Sequence, residues 1–287
     1  MRLFGSSVLV GGLLPRRLLA ARPPVVAVAE GKDYAAITRN ALDAVGGMGR
    51  FVKAGNVVVI KPNIGWDRRP EQAADTHPAV VRALAEECIR AGARRVKIFD
   101  NPCNEPRRSY ENSGIAAALR GIKNVDLKHI EVERFKKINL DGVFLKEWEI
   151  YSEALSADVL INVPVAKHHG LSRLTLGLKN MMGIMGGNRG YIHSRIDEAL
   201  ADLNAKVRSH LVVVDATRIL TAHGPQGGRA ADVKVLNKVI ASTDIVAADS
   251  YATTLFGIEP RDIPTTVAAY RRKLGEMDLD KVKIIKT

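Results

Sequence analysis

The chain has 287 residues, 46% of them hydrophobic and only 5% aromatic, which is ample for a sizeable core and excludes a disordered chain. The formal net charge is +12; Arg2, Arg16, Arg17 and Arg22 lie in the first 24 residues, which hold no acid, leaving +8 for the rest. The later Lys and Arg are interspersed with acids, as in "EVERFKKINLDGVFLKEWE", with no basic helix stripe and no aromatic stacking platform. That pattern argues against nucleic acid and for a small anionic ligand or an anionic surface.

Residues 1–24 read as a tail or the remnant of an export signal. The uncharged run Leu3–Leu14 is too short to span a bilayer but suits the apolar region of a signal. A twin-arginine signal reads Arg-Arg-x-Phe; "MRLF" supplies one arginine and has Met in place of the other. Export by such a signal is one expectation and a cytoplasmic protein with a surface tail is the other. No other segment reads as an integral membrane span.

Residues 25–287 are expected to form a single α/β domain. "VVAVAE" (25–30) reads as a strand and "DYAAITRNALDAV" (33–45) as a helix stopped by Gly46-Gly47. "NVVVI" (56–60) is the β-branched run of a strand buried on both faces. "THPAVVRALAEECIRAG" (76–92) is an amphipathic helix with Asp75 or Thr76 at its cap, Pro78 in its first turn and Gly92 at its end. "RVKIF" (95–99) completes a strand–helix–strand–helix–strand unit, the pattern of a mostly parallel sheet.

Further on, "ENSGIAAAL" (111–119) reads as one helix. Residues 124–150 read as a small β insertion with a turn at Asp141-Gly142. "ADVLINVP" (157–164) is a buried strand, 191–206 a helix, and "HLVVVDA" (210–216) and "KVLNKVIAS" (234–242) strands. "TDIVAADSYATTLFG" (243–257) is a capped helix and "KVKIIK" (281–286) a last strand at an edge. The expected fold is α/β: a mostly parallel central sheet with helices on both faces and a small antiparallel excursion.

Several of these strands run into polar residues: Lys61-Pro62-Asn63, Asp100-Asn101, Lys167-His168-His169 and Asp215. In a parallel sheet the carboxyl ends of the strands share one edge, and ligands bind there. The glycine-rich stretch "LGLKNMMGIMGGNRGYIH" sets Gly177, Gly183, Gly186, Gly187 and Gly190 around Lys179, Asn180 and Arg189. Such a loop brings backbone N–H groups close to a phosphate or carboxylate. It is neither a Walker loop nor a dinucleotide fingerprint.

His77, His168, His169, His193 and His223 fall in loops or at helix starts, which suits proton transfer or metal ligation. His168 and His169 are adjacent, so on an extended chain they point opposite ways and one at most faces a given metal. Cys88 lies on an apolar helix face. Cys103, in the loop "DNPCNEP", is a candidate thiol or ligand. Two cysteines cannot hold a four-iron cluster, so no iron–sulfur cluster is expected.

The segments "VVVIKPNIGW", "THPAVVRALAEECIRAGARRVKIFD", "SADVLINVPVAKHHGLSRLTLGLKNMMG", "YIHSRIDEALADL", "VVVDA", "HGPQGG" and "STDIVAADSYATTLFG" together resemble domain-of-unknown-function family 362. The resemblance runs in order over nearly everything from residue 25 onward. That family is distantly similar to the N-terminal domain of nickel-pincer lactate racemases, which use Lys, Arg and His around an anionic substrate and cofactor. Many members carry a ferredoxin-like cysteine module, absent here, and some carry twin-arginine signals.

The expected function is an enzyme acting on a small carboxylate- or phosphate-bearing substrate or cofactor. Lys61, Lys167, Lys179 and Arg189 would hold the anion, together with Asn63, Thr76, His77 and Asn180. His168 or His193 would transfer protons, with Lys167 or Lys179 as a candidate base. Asp215 or Asp249 would orient a histidine or help hold a divalent metal, for which His168, His169, His193 and Asp249 are the candidates. The alternatives are a non-catalytic anion-binding protein and an accessory subunit of a redox system, with a ferredoxin-like partner. A homo-oligomer is a further expected assembly.

Overall fold

The structure, a computed structural model, describes residues 23–287, so most of the expected export segment lies outside the described residues. The strands in chain order are β1 (Val25–Glu30), β2 (Val57–Pro62), β3 (Arg95–Ile98), β4 (Val125–Leu127), β5 (Phe135–Asn139), β6 (Glu147–Tyr151), β7 (Val159–Val163), β8 (Val165–His169), β9 (Arg173–Thr175), β10 (Leu211–Leu220), β11 (Val233–Ser242) and β12 (Lys283–Lys286). The main sheet runs β12-β1-β11-β10-β7-β2-β3-β4, with β8 paired to β10 and β9 to β8. From β10 to β4 all neighbours on that path are parallel; the β1–β11 and β10–β11 pairs are antiparallel. A separate antiparallel pair is formed by β5 and β6.

The β-branched runs are buried on both faces because helices cover both. Val58, Ile60, Ile161 and Val213 pack with Leu42 of the helix Tyr34–Ala44 and Val81 and Leu84 of the helix Pro78–Arg90. On the opposite face, Val59 and Leu160 pack with Ala199, Leu200 and Leu203 of the helix Ile196–Lys206. Val212 and Val214 pack with Ala247, Ala248 and Ala252 of the helix Ile245–Thr254. The alternation is the period of two of a pleated strand.

Three expectations are refined. The helix expected over 111–119 is two, Pro106–Asn112 and Ile115–Leu119, broken at Gly114, whose φ of 76° only glycine adopts freely. Residues 125–127, expected within the β insertion, add β4 to the edge of the main sheet beside β3. The helix expected over 191–206 is interrupted by a 3₁₀ turn at His193–Arg195. A helix at Pro264–Arg271 has no counterpart in the sequence reading.

One break positions the functional residues. β7 and β8 are successive lengths of chain separated by Pro164, which has no N–H for a ladder bond. The long strand β10 spans the break. It pairs with β7 through Leu211 and Val212, then with β8 through Asp215 and Leu220, and the Asp215 N–H donates to the Pro164 carbonyl at 2.8 Å. The chain thus continues past the sheet edge as β8 and carries Lys167 and His169 with it.

The small β5–β6 sheet is tied to the glycine-rich stretch. Trp148 donates from Nε1 to the Gly186 carbonyl at 3.0 Å, and Gly186 N–H donates to the Glu149 carbonyl at 2.9 Å. Phe144 stacks on Tyr191 with ring centroids 5.3 Å apart. The turn carrying Phe144 is anchored by Asp202, fully buried, whose carboxylate accepts from the N–H groups of Val143, Phe144 and Leu145 at 2.8 Å each and pairs with Arg272.

Candidate functional site

A cavity of about 630 Å³ opens at the carboxyl ends of β2 and β3, with β8 and β9 contributing to its wall. Its walls include Lys61, Asn63, Lys167, Lys179, Asn180, Arg189 and His193, drawn from four separate stretches of chain. His169, Asp100, Cys103 and Thr175 stand with them. This is the crevice that an open parallel sheet provides at that edge.

The floor is a buried polar network. Lys61 pairs with Asp100 Oδ1 at 2.8 Å and donates to Asn180 Oδ1 at 2.8 Å. Asn63 Nδ2 donates to the same Asn180 oxygen at 2.9 Å, and Asn180 Nδ2 donates to Asn162 Oδ1 at 2.8 Å. Lys167 donates to Asn63 Oδ1 at 3.0 Å and to the Ala74 carbonyl. Asp100 Oδ2 accepts from the Ile64 N–H at 2.7 Å. Such mutual satisfaction fixes each side chain in one position. The turn at Gly183 lies against the ion pair so closely that a Cβ there would sit 1.7 Å from Asp100 Oδ1.

The charges do not cancel. Lys61 has its carboxylate, but Lys167, Lys179 and Arg189 form no ion pair among the described residues. Arg189 donates instead to the carbonyls of Asn101 at 2.8 Å and Pro102 at 3.1 Å. Burial lowers the Lys179 pKa to about 8, helped by the neighbouring charges of Lys167, Arg189 and Lys61. Burial likewise lowers Lys167 to about 8, partly offset by Asp75, whose own pKa burial raises to about 7. Lys61 is also lowered by burial, against the pull of Asp100.

Two imidazoles face this field as near-parallel rings, 6.1 Å between centroids. His169 is pushed down to about 3 by burial and then by Lys179; His193 is lowered by the same two causes in the same order. Their tautomers differ. His169 Nδ1 accepts from the N–H groups of Leu171 at 3.1 Å and Ser172 at 3.3 Å, which leaves its proton on Nε2. His193 Nδ1 is 3.2 Å from the Arg189 carbonyl, which only accepts, so its Nδ1 carries the proton and its Nε2 a lone pair. Hydrogen bonding thus assigns one imidazole as a donor and the other as an acceptor.

Other expected site residues are not in the cavity wall. The imidazole there is that of His169; His168 instead accepts the Gly224 N–H on Nδ1 at 3.1 Å. Thr76 accepts the Asn63 N–H at 2.8 Å and donates to the Val163 carbonyl at 2.7 Å, so it positions Asn63. His77 caps the helix Pro78–Arg90 through Nδ1, and its N–H donates to Asp215 at 2.6 Å. Asp249 accepts the N–H groups of Gly177 at 2.7 Å and Leu178 at 2.9 Å, fixing the start of the glycine-rich stretch. Asn162, a polar residue inside the apolar run "VLINVP", was the signal in the sequence for the buried network. Thr175 had none.

Among the described residues no three His, Cys, Asp or Glu side chains gather closely enough to hold a metal ion. The uncancelled cations fit an anion.

Fold and cavity define an α/β protein with a cation-lined crevice at the carboxyl edge of its sheet. The chain belongs to the family described as Domain of unknown function (DUF362), whose model matches residues 58–254. It is 30% identical over 255 residues to the thylakoid-associated protein sll1697 of a Synechocystis species, covering 86% of this chain and 77% of that protein. The lactate racemase apoprotein from Thermoanaerobacterium thermosaccharolyticum has a similar fold, with a TM-score of 0.50 at 13% identity, covering 80% of this chain. This chain spans 56% of that protein's length, and the likeness is one of fold. No helix among the described residues is long and apolar enough to cross a membrane.

Proposed function

We propose that the protein is an enzyme that moves a proton on a small carboxylate- or phosphate-bearing substrate held in this cavity. One observation carries the reading: two neutral imidazoles of opposite tautomer share a cavity with the uncancelled charges of Lys179 and Arg189. The cations would bind and orient the anion. His193 Nε2 would accept a proton from it and return it, and neutral His169 would donate a hydrogen bond from Nε2–H to the substrate oxygen on which charge builds up. A bound anion would raise both imidazole pKa values, since it opposes the Lys179 charge that adds to burial in lowering them. An anionic organic cofactor would meet the same cations. The fold shared with a lactate racemase is compatible with an isomerase.

The test uses the full chain in D₂O with a panel of 2-hydroxy- and 2-oxo-carboxylates and phosphate esters. Deuterium is expected to enter a carbon-bound position of at least one. His193→Gln is expected to slow that exchange by about 10²-fold or more while binding is retained. Lys179→Met is expected to weaken binding by about tenfold or more. If anions bind but nothing exchanges, or H193Q exchanges like the wild type, the site only binds. If no anion binds, the reading fails.

Binding has a pH signature. Lys167 and Lys179 lose their protons near pH 8, so affinity for an anion is expected to fall above it. The ligand-free protein behaves oppositely. These lysines lie below their unfolded value of 10.5, so between about 8 and 10.5 the unfolded chain binds more protons and stability rises with pH. Thermal unfolding with and without phosphate across this range is expected to show the two trends converging; parallel curves would contradict the assignment.

A further inference from the structure

The cavity is larger than the anionic group its cations would hold. At water's share of about 30 Å³ per heavy atom, a three-carbon hydroxy acid takes up less than about 200 Å³. The cavity offers about 630 Å³. The remaining space borders a different kind of surface, because Trp66, Pro102, Leu171 and Pro225 also line it. Lys61 and Lys167 are 1% exposed, whereas Trp66, Pro102 and Pro225 are half-buried and Leu171 is 70% exposed. The two lysines therefore lie deep, and the apolar side chains lie toward the mouth.

Hydrogen bonds between loops draw these four residues together. The Cys103 N–H donates to the Gly65 carbonyl at 2.8 Å, which brings Pro102 beside Trp66. The Gly170 N–H donates to the Gly224 carbonyl at 3.3 Å, which brings Leu171 beside Pro225. Gln72 donates from Nε2 to the Gly228 carbonyl at 3.3 Å and so ties the loop after Trp66 to the loop after Pro225. The Leu171 N–H donates to His169 Nδ1 at 3.1 Å, so the leucine follows directly on the imidazole. One exposed leucine means little, since apolar atoms make up much of any protein surface. Here apolar residues from four loops, those after β2, β3, β8 and β10, surround the mouth of a pocket with a cationic floor. Such a pocket has the polarity of an amphiphile, with a site for each end.

We propose that the ligand of this cavity is an amphiphilic acid, a carboxylate or phosphate on an extended hydrocarbon body that lies along Trp66, Pro102, Leu171 and Pro225. The inference rests on the anion-binding part of the reading above, which it narrows to one substrate class, and not on proton transfer by the histidines. Two effects favour such a ligand. Covering the apolar wall removes hydrocarbon surface from water on both partners. The body also closes the mouth above the lysines and imidazoles, and excluding water there strengthens their interactions with the anionic head.

Calorimetry on the full chain near neutral pH compares butyrate, hexanoate, octanoate and inorganic phosphate. Affinity is expected to rise by about fivefold or more for each two methylenes, where complete burial would give about fifteenfold. Phosphate is expected to displace octanoate, because both use the same cations. Octanamide, with the same body and no charge, is expected to bind about tenfold or more weakly than octanoate. Leu171→Ser changes an exposed position outside the core. It is expected to lower the octanoate-to-butyrate affinity ratio by about threefold or more. The proposal is overturned by a wild-type ratio near one, by an unchanged ratio in L171S, by octanamide binding as tightly as octanoate, or by octanoate that phosphate does not displace. Phosphate separates this inference from the reading beneath it. If phosphate binds and chain length has no effect, only the apolar body falls; if neither phosphate nor any carboxylate binds, the cavity reading falls too.

Discussion

Asp100→Ala is expected to destabilise the protein by about 3–5 kcal/mol, the range for breaking a buried ion pair from one side. Asp100 and Lys61 are almost wholly buried and 2.8 Å apart. Removing the carboxylate leaves an ammonium without its counter-charge and orphans the Ile64 N–H, which donates to Asp100 Oδ2. Urea unfolding measures the loss. The penalty has a pH dependence of known sign. Without Asp100, the burial that lowers Lys61 loses its main opponent, so the lysine sheds its proton more readily and the penalty shrinks as pH rises. Adding Lys61→Met should recover part of the loss, because no charge is then stranded. A loss below about 1 kcal/mol, the level of an exposed pair, would show that the two groups are not desolvated.

Asp202→Ala is expected to cost about 3 kcal/mol or more, because one carboxylate satisfies three consecutive N–H groups as well as Arg272. The effect should reach the cavity. Asp202 holds the turn bearing Phe144, Phe144 stacks on Tyr191, and Tyr191 is two residues beyond Arg189. Hydrogen exchange should therefore quicken in residues 185–191 as well as in 143–145, and phosphate affinity should fall. Faster exchange confined to 143–145, with affinity unchanged, would show that the turn and the cavity are independent. Asp202→Asn, which keeps one acceptor oxygen, should lie between.

The strands that build the crevice were legible because burial on both faces favours short apolar runs rich in β-branched residues, as in "VVVI" and "VLINV". The meeting of Lys61, Lys167, Lys179 and His193 followed from the rule that parallel strands share a carboxyl edge. Which of two adjacent histidines faces the ligand was not legible. Alternation says that His168 and His169 point opposite ways, but the facing one depends on how β8 resumes after Pro164 alongside β10, a pairing between distant segments. Thr175 was hidden for a related reason, since its strand pairs back onto β8 within a stretch that glycines mark as loop. Thr76, His77, Asp215 and Asp249 read as site residues because polar side chains near the expected edge look available for a ligand. The structure uses them instead to satisfy backbone N–H groups, Asp215 from within β10 and Asp249 from within the helix Ile245–Thr254.

Gly183 couples three distant positions sterically. A methyl group at 183 would overlap Asp100 Oδ1 at 1.7 Å and Lys61 Cε at 2.4 Å. Relatives with any larger residue at that point are therefore expected to have lost the acid, the base or both, and substitutions at 61, 100 and 183 should covary across lineages.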